Sequence, residues 1–159
     1  MIEVVQNEKF ERRAIEIISN ARRFIYLSTF KMHLQKEWQQ EGSKGIFFTL
    51  LEKFQKGVQV KIMLQCGYNA TSIGVFNRRP TKCFLDAGIQ VHYLEGRRVV
   101  HAKIILVDGL TLLAGSHNLS VGSLRRNFEL SFLIRDIDTV KEVQSFFEQE
   151  WDHAKVFKK

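Results

Sequence analysis

The amino-acid sequence predicts an α/β fold in which a mixed β-sheet is flanked by helices. Segments with helical and with strand periodicity alternate along the first half of the chain, and strand-like runs then follow one another closely before a closing helix. A length of 159 residues with 45% hydrophobic and 26% charged content suits one compact core. A single domain over 1–159 is therefore expected, with no internal repeat.

The first helix is read in Asn7 to Arg23, where Phe10, Ala14, Ile17, Ile18 and Ala21 recur at helical spacing and Asn7 is placed to cap the start. FIYLSTF, Phe24 to Phe30, is aromatic and β-branched and reads as a buried strand. Lys31 to Gly45 breaks that pattern as a polar excursion, after which Ser43 caps a helix that ends at Gly57. Val58 to Gln65 is the next strand. Cys66 to Pro80 reads as loop, and Thr81 to Ala87 as a short helix stopped by Gly88. Ile89 to Leu94 gives a third strand and Glu95 to Arg98 a turn. His101 to Val107 and Thr111 to Ala114 pair as strands around an Asp108-Gly109 hairpin. Asn127 to Ile134 forms the last strand. The closing helix, Ile137 to Ala154, sets Val140, Val143, Phe146, Phe147 and Trp151 on one face, and Phe47 and Phe48 likewise sit at core spacing.

The charge balance narrows the partners. Lys and Arg number 24 against 17 Asp and Glu, a net +7 that favours polyanions such as nucleic acid or acidic headgroups. The apolar runs fall short of the roughly 20 residues of a membrane span, and MIEVVQNEKFERRA lacks the apolar stretch of a signal peptide. A cytoplasmic protein without stable membrane association is expected. Cys66 and Cys83 stand in no metal-binding or redox spacing and read as ordinary buried thiols.

His101 and Lys103 are anomalous at the entry to a run of branched aliphatics, since buried strands tolerate ionisable groups poorly. Two residues apart in extended chain, they share a face. An imidazole serves as nucleophile or general acid near neutral pH, and an ammonium beside it holds an anionic oxygen, which together describe a phosphate site. The pattern continues as HxK-x4-D-x6-GSxN through Asp108, Gly115, Ser116 and Asn118. The hairpin returns Gly115 to Asn118 toward the His101 end, where a hydroxyl and an amide can donate to phosphate oxygens. Asp108, at the turn, is the member least tied to chemistry.

HAKIILVD followed by GSHN resembles the HKD signature of the phospholipase D superfamily, and NFE, Asn127 to Glu129, resembles the downstream acidic position of its small nuclease-like members. The resemblance implies a phospholipase D-like sheet and a two-step phosphodiester transfer that uses no metal or other cofactor. In it, His101 attacks phosphorus to form a phosphohistidine, a second histidine protonates the leaving oxygen, and water releases the intermediate. Lys103 and Asn118 hold the phosphate oxygens, Glu129 accepts a hydrogen bond from the far nitrogen of His101, and Ser116 supports that network. The chain carries one such motif, whereas the chemistry needs two histidines, so a homodimer sharing one active site is implied. His117 occupies the variable position of GSxN and is expected to point elsewhere.

Around the motif, Arg97, Arg98, Arg125 and Arg126 are candidates for tracking a phosphate backbone. His33, His92 and His153 lack comparable company and read as surface or half-buried residues. The expected activity is a metal-independent endonuclease acting on DNA or RNA. A phosphodiesterase for phospholipid headgroups is the alternative, with Trp38 as its hint of an apolar entry, and a non-catalytic nucleic-acid-binding module is the third.

Overall fold

A computed structural model describes residues 1–33, 45–65, 72–94 and 98–157. The elements run β1 (Ile2–Gln6), α1 (Lys9–Ser19), β2 (Phe24–Thr29), α2 (Ile46–Gln55), β3 (Gln59–Leu64), α3 (Ser72–Asp86), β4 (Gln90–Tyr93), β5 (Ile104–Val107), β6 (Thr111–Gly115), α4 (Val121–Arg125), β7 (Leu130–Ile134), α5 (Ile137–His153) and β8 (Lys155–Val156). Among the described residues, eight strands form one mixed sheet in the order β1-β7-β6-β5-β2-β3-β4-β8. β2, β3 and β4 are parallel, and the remaining pairs are antiparallel. The α/β architecture expected from the alternating pattern is the one observed.

All of β2 and all of β5 are buried, which is why both read as unbroken apolar runs. On one face, Ile25, Leu27, Ile62, Leu64, Ile105 and Leu113 pack against Phe10, Ala14 and Ile18 of α1, Ile46 and Leu50 of α2, and Phe84 of α3. On the other, Tyr26, Met63, Ile104, Leu106 and Leu112 meet Val140, Phe147 and Trp151 of α5. That second cover is partial. The register Val4↔Phe132↔Ala114↔Ile104 puts the outward side chains of β1 and β7 on the α5 side. There Ile2, Val4, Leu130 and Phe132 remain 65, 52, 40 and 38% exposed.

Several expectations are corrected. β1 and β8 are edge strands too short to read without their partners. Asn7 does not cap α1: it takes a left-handed turn (φ 46°), Glu8 holds the cap position without a side-chain bond, and Asn7 Oδ1 instead accepts the Glu129 N–H at 2.9 Å. α3 begins nine residues earlier than the predicted helix and runs through Pro80. Inside it, the buried Asn77 donates to the carbonyls of Phe30 (2.8 Å) and Gln65 (2.6 Å) and accepts the Met32 N–H (2.8 Å). Those tertiary bonds offset the roughly 3 kcal/mol that an interior proline costs. β7 starts at Leu130 and β5 at Ile104, so Asn127 to Glu129 and His101 to Lys103 lie just outside their strands. Phe48 and Phe146 are 41 and 49% exposed rather than core. Conversely, His92 is buried against Trp151, their ring centroids 3.5 Å apart. Cys83 is half-buried beside the core. Ser43, Trp38, Cys66 and Arg97 lie outside the described residues. Gly45 holds the cap position of α2.

The alternation of strand directions gathers distant residues at one end of the sheet. β2 and β6 finish there, β5 and β7 begin there, and β1 runs out there. Thr29, Lys103, Gly115, Leu130 and Gln6 mark that end.

Candidate active site

His101 and Lys103 enter at this end, in the extended segment that feeds β5. His101 is exposed and its ring packs edge-on against Phe30, centroids 5.1 Å apart. Lys103 Nζ lies 3.1 Å from His101 Nδ1 and donates to the His101 carbonyl at 2.6 Å. The two side chains do share a face, as period-two spacing requires. Partial burial pushes the Lys103 ammonium below the ordinary lysine value, while the charge of Glu129 opposes that shift.

Gly115 faces Lys103 across the β5–β6 ladder, and its amide donates to the Lys103 carbonyl at 3.3 Å. A Cβ on Gly115 would stand 2.4 Å from the Leu130 carbonyl oxygen, Ser131 Cα and Ser131 Oγ. Glycine is required here so that β7 can come close, and β7 brings Glu129 with it. The Glu129 carboxylate then accepts from the hydroxyl of Ser116, from Ser123 Oγ at 2.6 Å and from Asn127 Nδ2 at 3.1 Å. Burial alone would push this carboxyl up, but the three hydrogen bonds together hold it below the usual glutamate range. A buried anion is thus fixed behind the histidine–lysine pair.

Asn118 is oriented from two sides. Its Oδ1 accepts the Lys31 N–H at 3.1 Å and lies 3.3 Å from Thr29 Oγ1, while its own backbone N–H donates to Ser123 Oγ at 2.8 Å. Because a backbone N–H can only donate, the carbonyl oxygen must be the atom turned inward, which leaves Nδ2 as the outward donor.

Two expectations change. The hydrogen bond expected from His101 to Glu129 is replaced in this chain: the carboxylate is taken by Ser116, Ser123 and Asn127, and the imidazole Nδ1 is engaged by Lys103. Asp108 does not join the site. It ends β5, about 17 Å along the strand from Lys103, and its carboxylate accepts the backbone N–H groups of Arg22, Arg23 and Phe24 at 2.8, 2.8 and 2.9 Å. The hairpin loop is the three residues Asp108 to Leu110: Asp108 at φ 57° and Gly109 at φ 70° are the left-handed centre of a turn closed by the Leu110 N–H on the Val107 carbonyl at 3.0 Å, and the Asp108 carboxylate ties it to the start of β2.

His117 points inward. It is 1% exposed, stacks on Phe10 at 4.2 Å, donates Nε2–H to the Asn7 carbonyl (3.1 Å) and accepts at Nδ1 from Ser131 Oγ (2.7 Å). Burial pushes it below the ordinary histidine value, against the pull of the Asn7 carbonyl and Glu129. One exposed histidine is what a single chain offers at this end.

Of the arginines, Arg98 pairs with Glu150 at 2.8 Å and Arg125 pairs with Glu11. Arg126 is exposed beside Asn127 at the mouth of a cleft of about 180 Å³. Sequence reasoning missed Thr29, Lys31 and Ser123, which orient Asn118 and Glu129, and Phe30, which carries His101. The signal available for Ser123 was its place between the Ser120 cap of α4 and the NFE triplet. For the others only the β2–β5 pairing reveals them.

The family model described as the PLD-like domain of cardiolipin synthase matches residues 14–151. Among curated proteins, the chain is 34% identical over 94 residues to cardiolipin synthase A of Shigella dysenteriae, and 37% identical over 94 residues to that of Cronobacter sakazakii. Each match takes 59% of this chain and 19% of the relative, so the chain spans about a fifth of the proteins it resembles in sequence. In fold it is similar to Nuc of Salmonella typhimurium, a phospholipase D family member, with TM-score 0.80, 17% identity and 100 and 99% coverage. NucT from Helicobacter pylori follows at TM-score 0.77, 18% identity and 99% of both chains, and the archaeal chromatin protein TrmBL2 at 0.63, 15%, and 97 and 53%.

Proposed function

The chain belongs to the phospholipase D superfamily, and from that premise we propose that it is a metal-independent phosphodiesterase cutting the backbone of DNA or RNA. Its active site would form from two copies of the chain. The observation that carries this reading is the exposed His101 with Lys103 beside it, the Asn118 amide donor and the anchored Glu129, all at one end of the sheet.

In the first step, His101 Nε2 attacks phosphorus as the bond to the leaving oxygen breaks, and that oxygen takes its proton from the partner subunit's His101. In the second, water attacks the phosphohistidine, gives a proton to the partner's His101, and the phosphorus–nitrogen bond breaks. Lys103 and Asn118 Nδ2 stabilise the charge on the non-bridging oxygens. For Nε2 to attack, the ring proton must sit on Nδ1. A charged Lys103 donating to Nδ1 imposes the opposite tautomer, so Lys103 turns from the ring to the arriving phosphate as the site is engaged.

The need for a second histidine and the uncovered apolar face point to the same partner. Ile2, Val4, Leu130 and Phe132 adjoin the catalytic end through Glu129, next to the 96% exposed Phe128. A second copy laid there covers them and brings its own His101 near. A net charge of +7 suits a polyanionic substrate. The fold is shared with Nuc, a phospholipase D family member, and with TrmBL2, an archaeal chromatin protein that binds DNA, which supports a nucleic-acid partner.

Cleavage of labelled single- and double-stranded DNA and RNA in excess EDTA, by wild type and by His101→Ala, tests the reading. Cutting that survives EDTA and disappears in the variant is expected. If no nucleic acid is cut while phospholipid vesicles are, the substrate assignment is wrong. Refolding equal amounts of the two proteins together should leave about a quarter of the dimers with two histidines, and activity should fall to match. Activity equal to half, the simple dilution, means that each chain works alone.

A further inference from the structure

A cavity of about 150 Å³ opens beside His101, between the sheet and α5. Its walls include Met63, Ile104, Phe146 and Phe147, and Arg98 and Glu150 complete it. Apolar cavities of this size accept a six-membered ring. Phe146, 49% exposed, lines the opening and is available to an aromatic occupant. Glu150 Oε1 accepts from Arg98 at 2.8 Å, whereas its Oε2 is buried and meets no hydrogen-bond donor among the described residues. An unpaired buried acceptor is costly. That oxygen is turned away from the opening, so the polar part of the wall is the pair itself: the exposed Arg98 guanidinium offers donors, and Glu150 Oε1 an acceptor.

Three requirements therefore converge: a flat apolar body, a polar edge to meet the Arg98–Glu150 pair, and attachment close to a phosphodiester held at His101. Acyl chains have neither a flat face nor a polar edge, and a glycerol headgroup has hydroxyls but no ring. A nucleobase has all three. Resting on the nucleic-acid reading above, we infer that this cavity is a base subsite: it takes the unpaired base next to the scissile phosphate, stacked on Phe146, with its polar edge against the Arg98–Glu150 pair. A base held in a duplex cannot enter, because its donor edge is paired and both its faces are stacked, so the subsite favours single strands.

The test uses wild type, Phe146→Ala and Glu150→Gln with single-stranded oligonucleotides that carry one cleavable linkage and an abasic nucleotide on one flank or the other. In wild type, removing the base on one flank should slow kcat/KM on the order of 10-fold, within the range of a base–aromatic contact, and removing the other base should do little. In Phe146→Ala, the intact oligonucleotide should slow by a similar factor and the abasic penalty should vanish. Glu150→Gln, which keeps shape but alters the acceptor, should change which base is preferred on that flank. Equal cleavage of intact and abasic substrates by wild type overturns the subsite and leaves the nuclease reading standing. An abasic penalty unchanged in both variants also overturns it, by placing the base elsewhere. If wild type cuts no oligonucleotide, the nuclease reading fails and the subsite falls with it.

Discussion

Replacing Asp108 separates what the last letter of the motif does for the fold from what the rest does for chemistry. Asp108→Ala removes the acceptor of three backbone N–H groups and leaves a β-carbon without local hydrogen bonding at φ 57°. The left-handed conformation costs an ordinary residue about 1–2 kcal/mol. Water can reach the amides of Arg22 and Arg23, but the Phe24 amide is partly buried, and stranding it costs about 1–3 kcal/mol. The sum, roughly 2–5 kcal/mol, corresponds to a Tm lower by about 5–15 °C in a chain of this length. Asp108→Asn keeps the turn preference and one acceptor oxygen, so it should fall in the lower part of that range. Urea titration and calorimetry measure both. Activity per folded molecule, assayed well below the lowered Tm, should stay close to wild type, because Asp108 is some 17 Å from Lys103 along β5 and sites that far apart couple weakly. An Asp108→Asn protein with wild-type stability and a 100-fold loss of activity would refute the assignment.

Gly115→Ala should act in the opposite sense, on fold and site together. The new methyl meets strand backbone at 2.4 Å, overpacking that costs at least about 1–3 kcal/mol, and pushing β7 away also displaces Glu129. Loss of activity larger than the unfolded fraction explains, measured at a temperature where circular dichroism shows folded protein, is the expected result; a fully active variant would mean that β7 yields freely. The pH dependence of stability should be one-sided. His117 and His92 are held below the ordinary value of 6.5, chiefly by burial, so the unfolded chain binds their protons more readily than the folded one. Their contribution is complete above pH 6.5 and is lost as pH falls toward their folded values. Glu129, held below 4.5, adds a second loss at lower pH. Urea midpoints should therefore drop from pH 7.5 to pH 5 and drop further toward pH 3.5; a midpoint that rises on acidification would contradict the burial of both histidines.

What the sequence made legible follows from where the constraints are local. β2 and β5 are buried on both faces, so their composition alone marks them, and the Asp108-Gly109 pair specifies its own turn. The HxK and GSxN elements were readable because a tight hairpin fixes their mutual distance. Edge strands carry no such mark: β1 shows only one fully buried residue, Val5, and gains its identity from β7. The residues that hold the site in place were harder still. Thr29 and Lys31 reach Asn118 across 89 and 87 residues of sequence, a meeting created by strand register. Pro80 misled for a related reason: local chemistry argues against a helix there, and the bonds that Asn77 makes to Phe30, Met32 and Gln65 override it.

The resting geometry bears on why a one-motif chain would work in pairs. Alone, Lys103 is satisfied by the carbonyl and ring of its own neighbour His101, and Glu129 by Ser116, Ser123 and Asn127. The other histidine of the motif, His117, has both nitrogens engaged in the core and so offers no proton to a departing oxygen. On the proposed reading, two copies of His101 flank one phosphate. Two imidazolium charges so placed would repel each other, and two neutral rings would leave the leaving oxygen without an acid, so the productive pair carries one proton between them. Symmetry then makes the two rings interchangeable until the substrate binds, and the direction in which the strand lies across the pair decides which ring attacks. A base seated beside one His101 is a means of fixing that direction, which gives the cavity at Phe146 and Glu150 a consequence beyond affinity: it would select the side of the phosphodiester from which the oxygen leaves.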